Sequence, residues 1–397
     1  MSRPTRLAVV STHPIQYYAP LFRALAARGA VEPHVFYGWT GAAGQATHDH
    51  GFGEAFAWDV PLLDGYASTF VENAAEDPGP HHFKGIDGPS LVSQIAAFDP
   101  EAVLVFGWNY RSHLRALRAF HGRVPVLFRG DSTLIDEQGG AAGAVKRLAR
   151  RTVLRWVYRH VDVALNVGTH NRDYFRAHGL RDEQIVWAPH AVDNARFEAA
   201  GDAEAVAWRR ELGIGEDDRV AVFAGKLEPK KAPDVLLDAF LSYAASAPRQ
   251  SHLAFAGSGP LESSLRARAA DHPTVHFLGF QNQSRMPAVY RLGDVLVLPS
   301  RGPGETWGLA ANEAMASGRA VIVSDRVGCA PDLVDEQNGR VIPAGDASAL
   351  EDALAAVLAE GVAERMGAVS RARIQDWSIE AEAERIEAAV AEAAGER

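Results

Sequence analysis

The chain has 397 residues, more than one hydrophobic core ordinarily covers, so two domains are the default expectation. Its 47% apolar and 23% charged residues are those of a soluble globular protein, and a formal charge of −10 argues against a general nucleic-acid binder. The single cysteine, Cys329, excludes an internal disulfide framework or a cysteine-rich metal site and fits a reducing compartment, where it reads as a small buried filler.

The N-terminal MSRPTRLAVVST is a short basic lead into a strand whose apolar part breaks at His13-Pro14, too soon for a signal peptide. No apolar run approaches the roughly 18 residues of a membrane span. The expectation is a cytoplasmic protein, or one that visits the inner face of a membrane only at its surface.

Short β-branched runs recur along the chain, each followed by a helical pattern, which predicts βα units and a mostly parallel sheet. A first series falls at 6–12, 32–38, 102–107, 124–130, 162–168 and 184–190. A second falls at 219–225, 252–259, 274–280, 294–300, 320–325 and 339–345. Runs apolar on both faces are what doubly covered strands look like. The polar, glycine-marked stretch between the series puts a boundary near 195–215, giving domains at 1–195 and 196–370. Residues 39–90, rich in Gly, Pro, His and Asp, predict an irregular excursion with some strand, and loops that long are usually functional.

Turns after the first series carry polar residues. His13-Pro14 stands where strand becomes helix, followed by Gln16, Tyr17 and Tyr18; His13 either meets a ligand or caps a backbone group. Gly107-Trp108-Asn109-Tyr110 and Arg129-Gly130-Asp131-Ser132 end two further strands. Asp131 suits a sugar hydroxyl and Arg129 an anion, although an internal Arg129–Asp131 pair accounts for both. Thr169-His170-Asn171 and Pro189-His190-Ala191 occupy two more turns. Residues 146–160, KRLARRTVLRWVYRH, hold six Lys/Arg and no acid. They predict a basic helix mixed with Val153, Leu154, Trp156, Val157 and Tyr158. Either it meets anionic lipid, or its arginine stems cover the sheet while their heads stay wet.

The second series is more specific. Gly225-Lys226-Leu227-Glu228-Pro229-Lys230-Lys231 places ammonium groups at a strand's carboxyl end, suited to a diphosphate leaving group or to plain solvation. Gly257-Ser258-Gly259 lets backbone approach a ligand, or is a turn. Gly279-Phe280-Gln281-Asn282 could hold a nucleobase by backbone contacts. Then RGPG leads into ETWGLAANEAMASG, with Glu305 and Glu313 eight positions apart around a helix N-terminus. Free N–H groups there suit phosphates, while carboxylates suit sugar and ribose hydroxyls. Phosphates flanked by two polyols describe a nucleotide sugar; the alternative is that both glutamates are first-turn and solvent-face residues.

GKLEPKKAPDVLLDAF, AGSGP, VHFLGF and RGPGETWGLAANEAMASGRAVIVSD resemble the C-terminal half of retaining GT-B glycosyltransferases, family GT4 (glycosyl transferases group 1), across residues 219–345. The resemblance implies two Rossmann-like α/β domains facing each other across a cleft, a nucleotide-sugar donor, no metal and no other cofactor. It also implies that residues 371–397, with Trp377 just before their helix, cross back to the N-terminal domain. By the same likeness, Lys226 and Lys231 meet the donor diphosphate, Glu305 the transferred sugar and Glu313 the ribose, with backbone at Thr306, Trp307, Gly308 and Leu309 meeting sugar or phosphates. Gly225, Gly257, Gly259 and Phe280 complete the donor candidates. His13, Tyr17, Trp108, Asn109, Arg129, Asp131, His170 and Asn171 are the candidate contacts of a sugar, lipid-linked or small-molecule acceptor. Glu305, Lys231, Lys226, His13 and Asp131 are the catalytic candidates. Other readings of the same plan are a nucleotide-sugar epimerase, a phosphorylase (for which no pyridoxal lysine is marked), or a protein that binds a sugar nucleotide without turning it over.

Overall fold

A computed structural model describes residues 3–41, 47–49, 54–135, 137 and 140–395. All twelve strands expected from the sequence form, their ends within about three residues of the expected ones. In the first series these are β1 (Thr5–Ser11), β2 (Val31–Tyr37), β6 (Ala102–Phe106), β7 (Val126–Arg129), β8 (Val163–Asn166) and β9 (Ile185–Trp187). The second gives β10 (Arg219–Ala224), β11 (Ser251–Ala256), β12 (Val275–Gly279), β13 (Val295–Leu298), β14 (Ala320–Ser324) and β15 (Gly339–Ile342). The excursion at 39–90 adds a short pair, β3 (Thr47–Asp49) with β4 (Glu54–Phe56), and one strand the periodicity hid, β5 (Ala67–Phe70). Strand β5 is an edge strand whose side chains are half-buried or exposed, so it lacks the apolar run that marks its neighbours.

The chain falls into two compact units. One comprises Met1–Thr47, Val60–His190 and Ile379–Arg397, the other His48–Asp59 and Ala191–Ser378. The first holds the sheet β5-β2-β1-β6-β7-β8-β9 and the second the sheet β12-β11-β10-β13-β14-β15. Every pairing in both is parallel. Both orders begin at an edge, return to the first strand and then run outward, so each sheet has a switch point, at β1/β6 and at β10/β13. Chains leaving a switch point diverge to opposite faces, and the crevice between them at the carboxyl ends is where open α/β sheets bind ligands.

Burial on both faces holds each sheet. In the second unit Phe223, Leu237, Phe240, Leu253, Phe255, Val297, Ile322 and Leu354 form a continuous core, each 0% exposed. Removing one such ring, as in Phe240→Ala, costs about 3–5 kcal/mol. In the first unit Val103, Val105, Val126, Leu154 and Val157, each 0% exposed, lie in the equivalent core. The last helix, Ile379–Gly395, packs on the helix Tyr18–Arg28 and belongs to that unit. Its buried stripe reads Ile379, Glu382, Ala383, Ile386, Glu387, Val390, and the two glutamates within it pair with arginines: Glu382 with Arg129 at 2.6 Å, Glu387 with Arg28 at 2.8 Å.

Candidate active site

In the second unit the site is built from turns at the switch point. Strand β13 delivers a loop that ends at Gly308, whose φ of 97° caps the helix Leu309–Ala316. A side chain there would strain the backbone, and a Cβ would lie 2.6 Å from Val327 Cγ1. The loop is held in place by the turn after β14. Gly328 N–H donates to the Glu305 carbonyl at 3.0 Å and Cys329 N–H to that of Trp307 at 2.9 Å. No side chain fits at Gly328, because a Cβ would come within 1.8 Å of the Thr306 carbonyl oxygen. Trp307 is itself an anchor: its indole N–H donates to Asn312 Oδ1 at 2.8 Å, and its ring stacks on Trp377 at 5.0 Å.

Both glutamates are buried, Glu305 to 8% exposure and Glu313 to 2%, which rules out a solvent-face role for either. Buried carboxylates need partners. Glu305 Oε2 accepts from Lys231 Nζ and, at 2.8 Å, from Ser300 Oγ. The Ser300 carbonyl in turn accepts from Ser324 Oγ. Glu313 Oε2 accepts from the Tyr290 hydroxyl at 2.6 Å. The carboxylate at Glu305 keeps acceptor capacity for an incoming hydroxyl, since each oxygen has two lone pairs. Lys231 arrives from the β10 turn through the short helix Pro229–Lys231, which left-handed Ala232 (φ 52°) and Pro233 terminate. Cation and carboxylate thus come from the two strands that flank the switch point.

The glycines in neighbouring turns serve packing. A Cβ at Gly257 would sit 2.0 Å from the Gly225 carbonyl oxygen, and one at Gly259 2.7 Å from that of Leu227. Backbone hydrogen bonds stitch the same turns together: Gly225 N–H to the Ala256 carbonyl, Leu227 N–H to that of Ser258 and Gly257 N–H to that of Gly279, at 2.7–2.9 Å. Lys226 leaves this stitched rim, and Phe280 follows β12 along it. Arg301, bidentate on Asp234 at 2.9 Å, donates its own N–H to the Lys230 carbonyl at 2.8 Å, so the lysine turn and the glutamate loop are tied directly. Cys329 is fully buried, as expected of a filler; burial, and next the charge of Glu305, push its thiol well above the usual range.

The first unit gathers a second cluster at the carboxyl ends of β1, β6, β7, β8 and β9. His13 is hydrogen-bonded with Thr12 Oγ1 at 3.0 Å and meets Trp39 edge-on at 5.3 Å. Burial lowers its pKa to about 4, so it is a neutral imidazole near pH 7. Tyr17 directly precedes the first helix, Trp108 packs partly on the core, Asn109 is exposed, and His170 is half-buried in the first turn of the helix Thr169–Ala177.

Two expected acceptor contacts turn out to be structural. Arg129 is 2% exposed; its guanidinium donates to the Ala188 and Pro189 carbonyls at 3.0 and 2.9 Å and pairs with Glu382. Its ion-pair partner is therefore Glu382, where the sequence suggested Asp131. Asn171, 1% exposed, accepts from Val167 N–H at 3.1 Å and donates to the Ser132 carbonyl at 2.8 Å, bridging two turns. Three members of the cluster were missed. Tyr18 packs on Phe106 at 4.7 Å and on His190 at 6.4 Å, and burial, then Asp131, raise its phenol pKa. Burial, then Arg129, lower His190 to about 3. Glu382 had a signal: a glutamate inside the apolar stripe of the last helix demands a buried cation.

A family model described as Glycosyl transferases group 1 matches residues 205–374. The chain is 26% identical to a D-inositol 3-phosphate glycosyltransferase of Nocardia farcinica, over 96% of this chain and 88% of that protein. Among solved structures, a sucrose-phosphate synthase from Thermosynechococcus elongatus matches with a TM-score of 0.76 and 19% identity, covering 99% of this chain and 100% of the other. The chain has the fold of the GT-B glycosyltransferases, and its relatives by sequence are glycosyltransferases. The family model and the D-inositol 3-phosphate glycosyltransferase bear out the glycosyltransferase likeness seen in residues 219–345, and the solved structure bears out its fold. The chain is also 30% identical to a GDP-mannose-dependent monoacylated alpha-(1-6)-phosphatidylinositol monomannoside mannosyltransferase of Corynebacterium glutamicum. That alignment covers 59% of this chain and 64% of the relative, just under two thirds of its length. Anabaena HepE, solved in complex with UDP-glucose, matches with a TM-score of 0.70 and 17% identity over 99% of this chain and 100% of that one.

Proposed function

We propose that this glycosyltransferase moves a sugar from a nucleotide-sugar donor to a hydroxyl acceptor, with retention of anomeric configuration and without a metal ion. The observation that carries the reading is the buried Glu305 carboxylate, held by Lys231 and Ser300 at the β10/β13 switch point. Support comes from the names of similar proteins: HepE is described with UDP-glucose, and the mannosyltransferase is named for GDP-mannose.

The donor is assigned to the second unit. Its diphosphate lies toward Lys226, Lys231 and the N-terminus of the helix Leu309–Ala316, its sugar hydroxyls on Glu305, and its ribose toward Glu313. Acceptor contacts are assigned to the first unit, with His13 and Asp131 foremost. In the transfer step the bond from the anomeric carbon to the diphosphate oxygen breaks while the acceptor oxygen bonds that carbon on the same face. The departing diphosphate takes the acceptor's proton, and Lys231 steadies its developing charge, a contribution of about 3–4 kcal/mol for one well-placed donor. Neither prominent carboxylate is assigned as a nucleophile, because both have donor-binding duties.

The test is a panel of UDP, GDP, ADP and dTDP sugars, screened first by thermal shift, because a bound donor stabilises the fold by mass action. The stabilising donor is then given an acceptor in buffer containing a chelator, and the product's anomeric configuration is read by NMR. Retained configuration and chelator-insensitive transfer are expected. Inverted product, loss of activity with chelator, or epimerised donor with no transfer would overturn the proposal.

A further inference from the structure

The helix Gly140–Tyr158 carries two apolar stripes. One faces the core of the first unit: Leu154 and Val157 are 0% exposed and Tyr158 3%. On the opposite face Val145, Leu148, Ala149, Thr152 and Trp156 recur at spacings of three and four, which aligns them on one side of a helix. Val145 is 71% exposed, Leu148 68% and Trp156 37%, and Val153 at the margin 47%. Among the described residues, four of the eight large apolar side chains exposed to this degree lie on this one helix, so they form a patch and not a scatter. Thr152 fits the patch as well, since its hydroxyl is satisfied by the Leu148 carbonyl at 3.0 Å.

Cations flank this stripe. Lys146, Arg151, Arg155 and Arg159 are exposed, and no acid occurs from 146 to 160, in a chain whose formal charge is −10. Arg118, from a neighbouring helix, lies over the Trp156 ring at 5.5 Å, adding another guanidinium to the same surface. Arg159 and Arg118 both lie near His160, which meets the Trp156 ring edge-on at 5.7 Å. The arginine-stem reading of this helix holds for Arg150, which turns inward to the Tyr174 hydroxyl at 2.8 Å; it does not account for the outer stripe.

We propose that this face docks on a bilayer bearing anionic headgroups, its aliphatic stripe entering the acyl boundary and its arginines meeting lipid phosphates. A polyanion such as a nucleic acid would engage the cations and leave Val145 and Leu148 in water. A bilayer satisfies both, because arginine stems lie along apolar surface while their heads reach the phosphates. No helix among the described residues is long and apolar enough to cross a membrane, so the contact is peripheral. This inference stands independently of the donor-site reading.

The test is co-sedimentation of the full chain with vesicles of phosphatidylcholine alone and of phosphatidylcholine mixed with phosphatidylglycerol, at low and high salt. Binding to the mixed vesicles that weakens with salt is expected, with roughly fivefold lost for each cation removed. Arg151→Glu with Arg159→Glu should abolish sedimentation, and Val145→Ser with Leu148→Ser should weaken it at least tenfold. All four side chains are exposed, so the variants should keep the parent melting temperature and donor binding. No sedimentation, equal binding to both vesicle types, or undiminished binding of the serine variant would overturn the proposal.

Discussion

Replacing Lys231 by methionine tests the site where structure and chemistry meet. The pair it forms with Glu305 is mostly buried, its side chains 20% and 9% exposed. Breaking a fully buried pair costs about 3–5 kcal/mol, and breaking an exposed one about 0–1. Here Ser300 still donates to Glu305, and Lys231 has some solvent, so about 2 kcal/mol is expected. For a unit of this size that lowers the melting temperature by roughly 4–8 °C. Turnover should fall roughly 10²–10³-fold, the usual loss for a donor aimed at developing charge. Adding Glu305→Gln removes the orphaned carboxylate, so the double variant should regain most of the lost stability and none of the turnover. Steady-state kinetics and thermal unfolding on the four members of the cycle separate the two effects. Lys230→Met is the control, since Lys230 is 41% exposed and pairs only loosely with Glu228 at 3.3 Å. A Lys231 variant that melts like the control and keeps kcat within about twofold would refute the reasoning.

Glu382→Gln leaves the Arg129 guanidinium buried with carbonyls alone, and should cost about 3 kcal/mol in denaturant unfolding; an unchanged midpoint would contradict that. Acid should destabilise the first unit. His113, completely buried, titrates at about 4 through burial, and His190 at about 3 through burial and Arg129, so the unfolded chain takes up these protons first. Stability is then complete above about pH 6.5 and falls as pH drops toward the folded values, by about 3 kcal/mol for His113 alone. Urea melts across that window should show the decline, and His190→Gln should make it shallower while His113 keeps its share; a flat wild-type profile would count against the burial argument. Gly328→Ala should displace the loop at Thr306, cut transfer at least tenfold and cost about 1–3 kcal/mol in donor-free unfolding, because the added Cβ meets backbone. Full activity in that variant would show that the loop tolerates movement.

Much of this was legible because parallel strands buried on both faces leave an unmistakable trace. The β10 run RVAVFA and the β13 run VLVL could be placed from their apolar continuity, and with them the turns that carry Lys231 and Glu305. Strand β5 could not, since an edge strand with half-exposed side chains has neither alternation nor a run. In the second unit the residue types at fixed spacing pointed to the proposed donor chemistry, but the parts that hold them in place were silent. Ser324, Tyr290 and Gly328 act through contacts with residues distant in the chain, which no local pattern encodes. The acceptor side failed at Arg129 and Asn171 for a related reason. A polar residue at a strand end can face a ligand or stitch two turns, and only its burial decides. Glu382 lies more than 250 positions from Arg129, so their pairing was beyond reach of the sequence even though a glutamate in an apolar stripe announced that some cation must meet it.

The most direct measurement compares Glu305→Ala with the parent protein in two assays. One titrates, by calorimetry, the nucleoside diphosphate of whichever donor is turned over; the other measures single-turnover transfer of that donor's sugar. If Glu305 grips the migrating sugar, the diphosphate binds both proteins alike while transfer falls at least roughly a hundredfold. Transfer at near the parent rate would contradict the account.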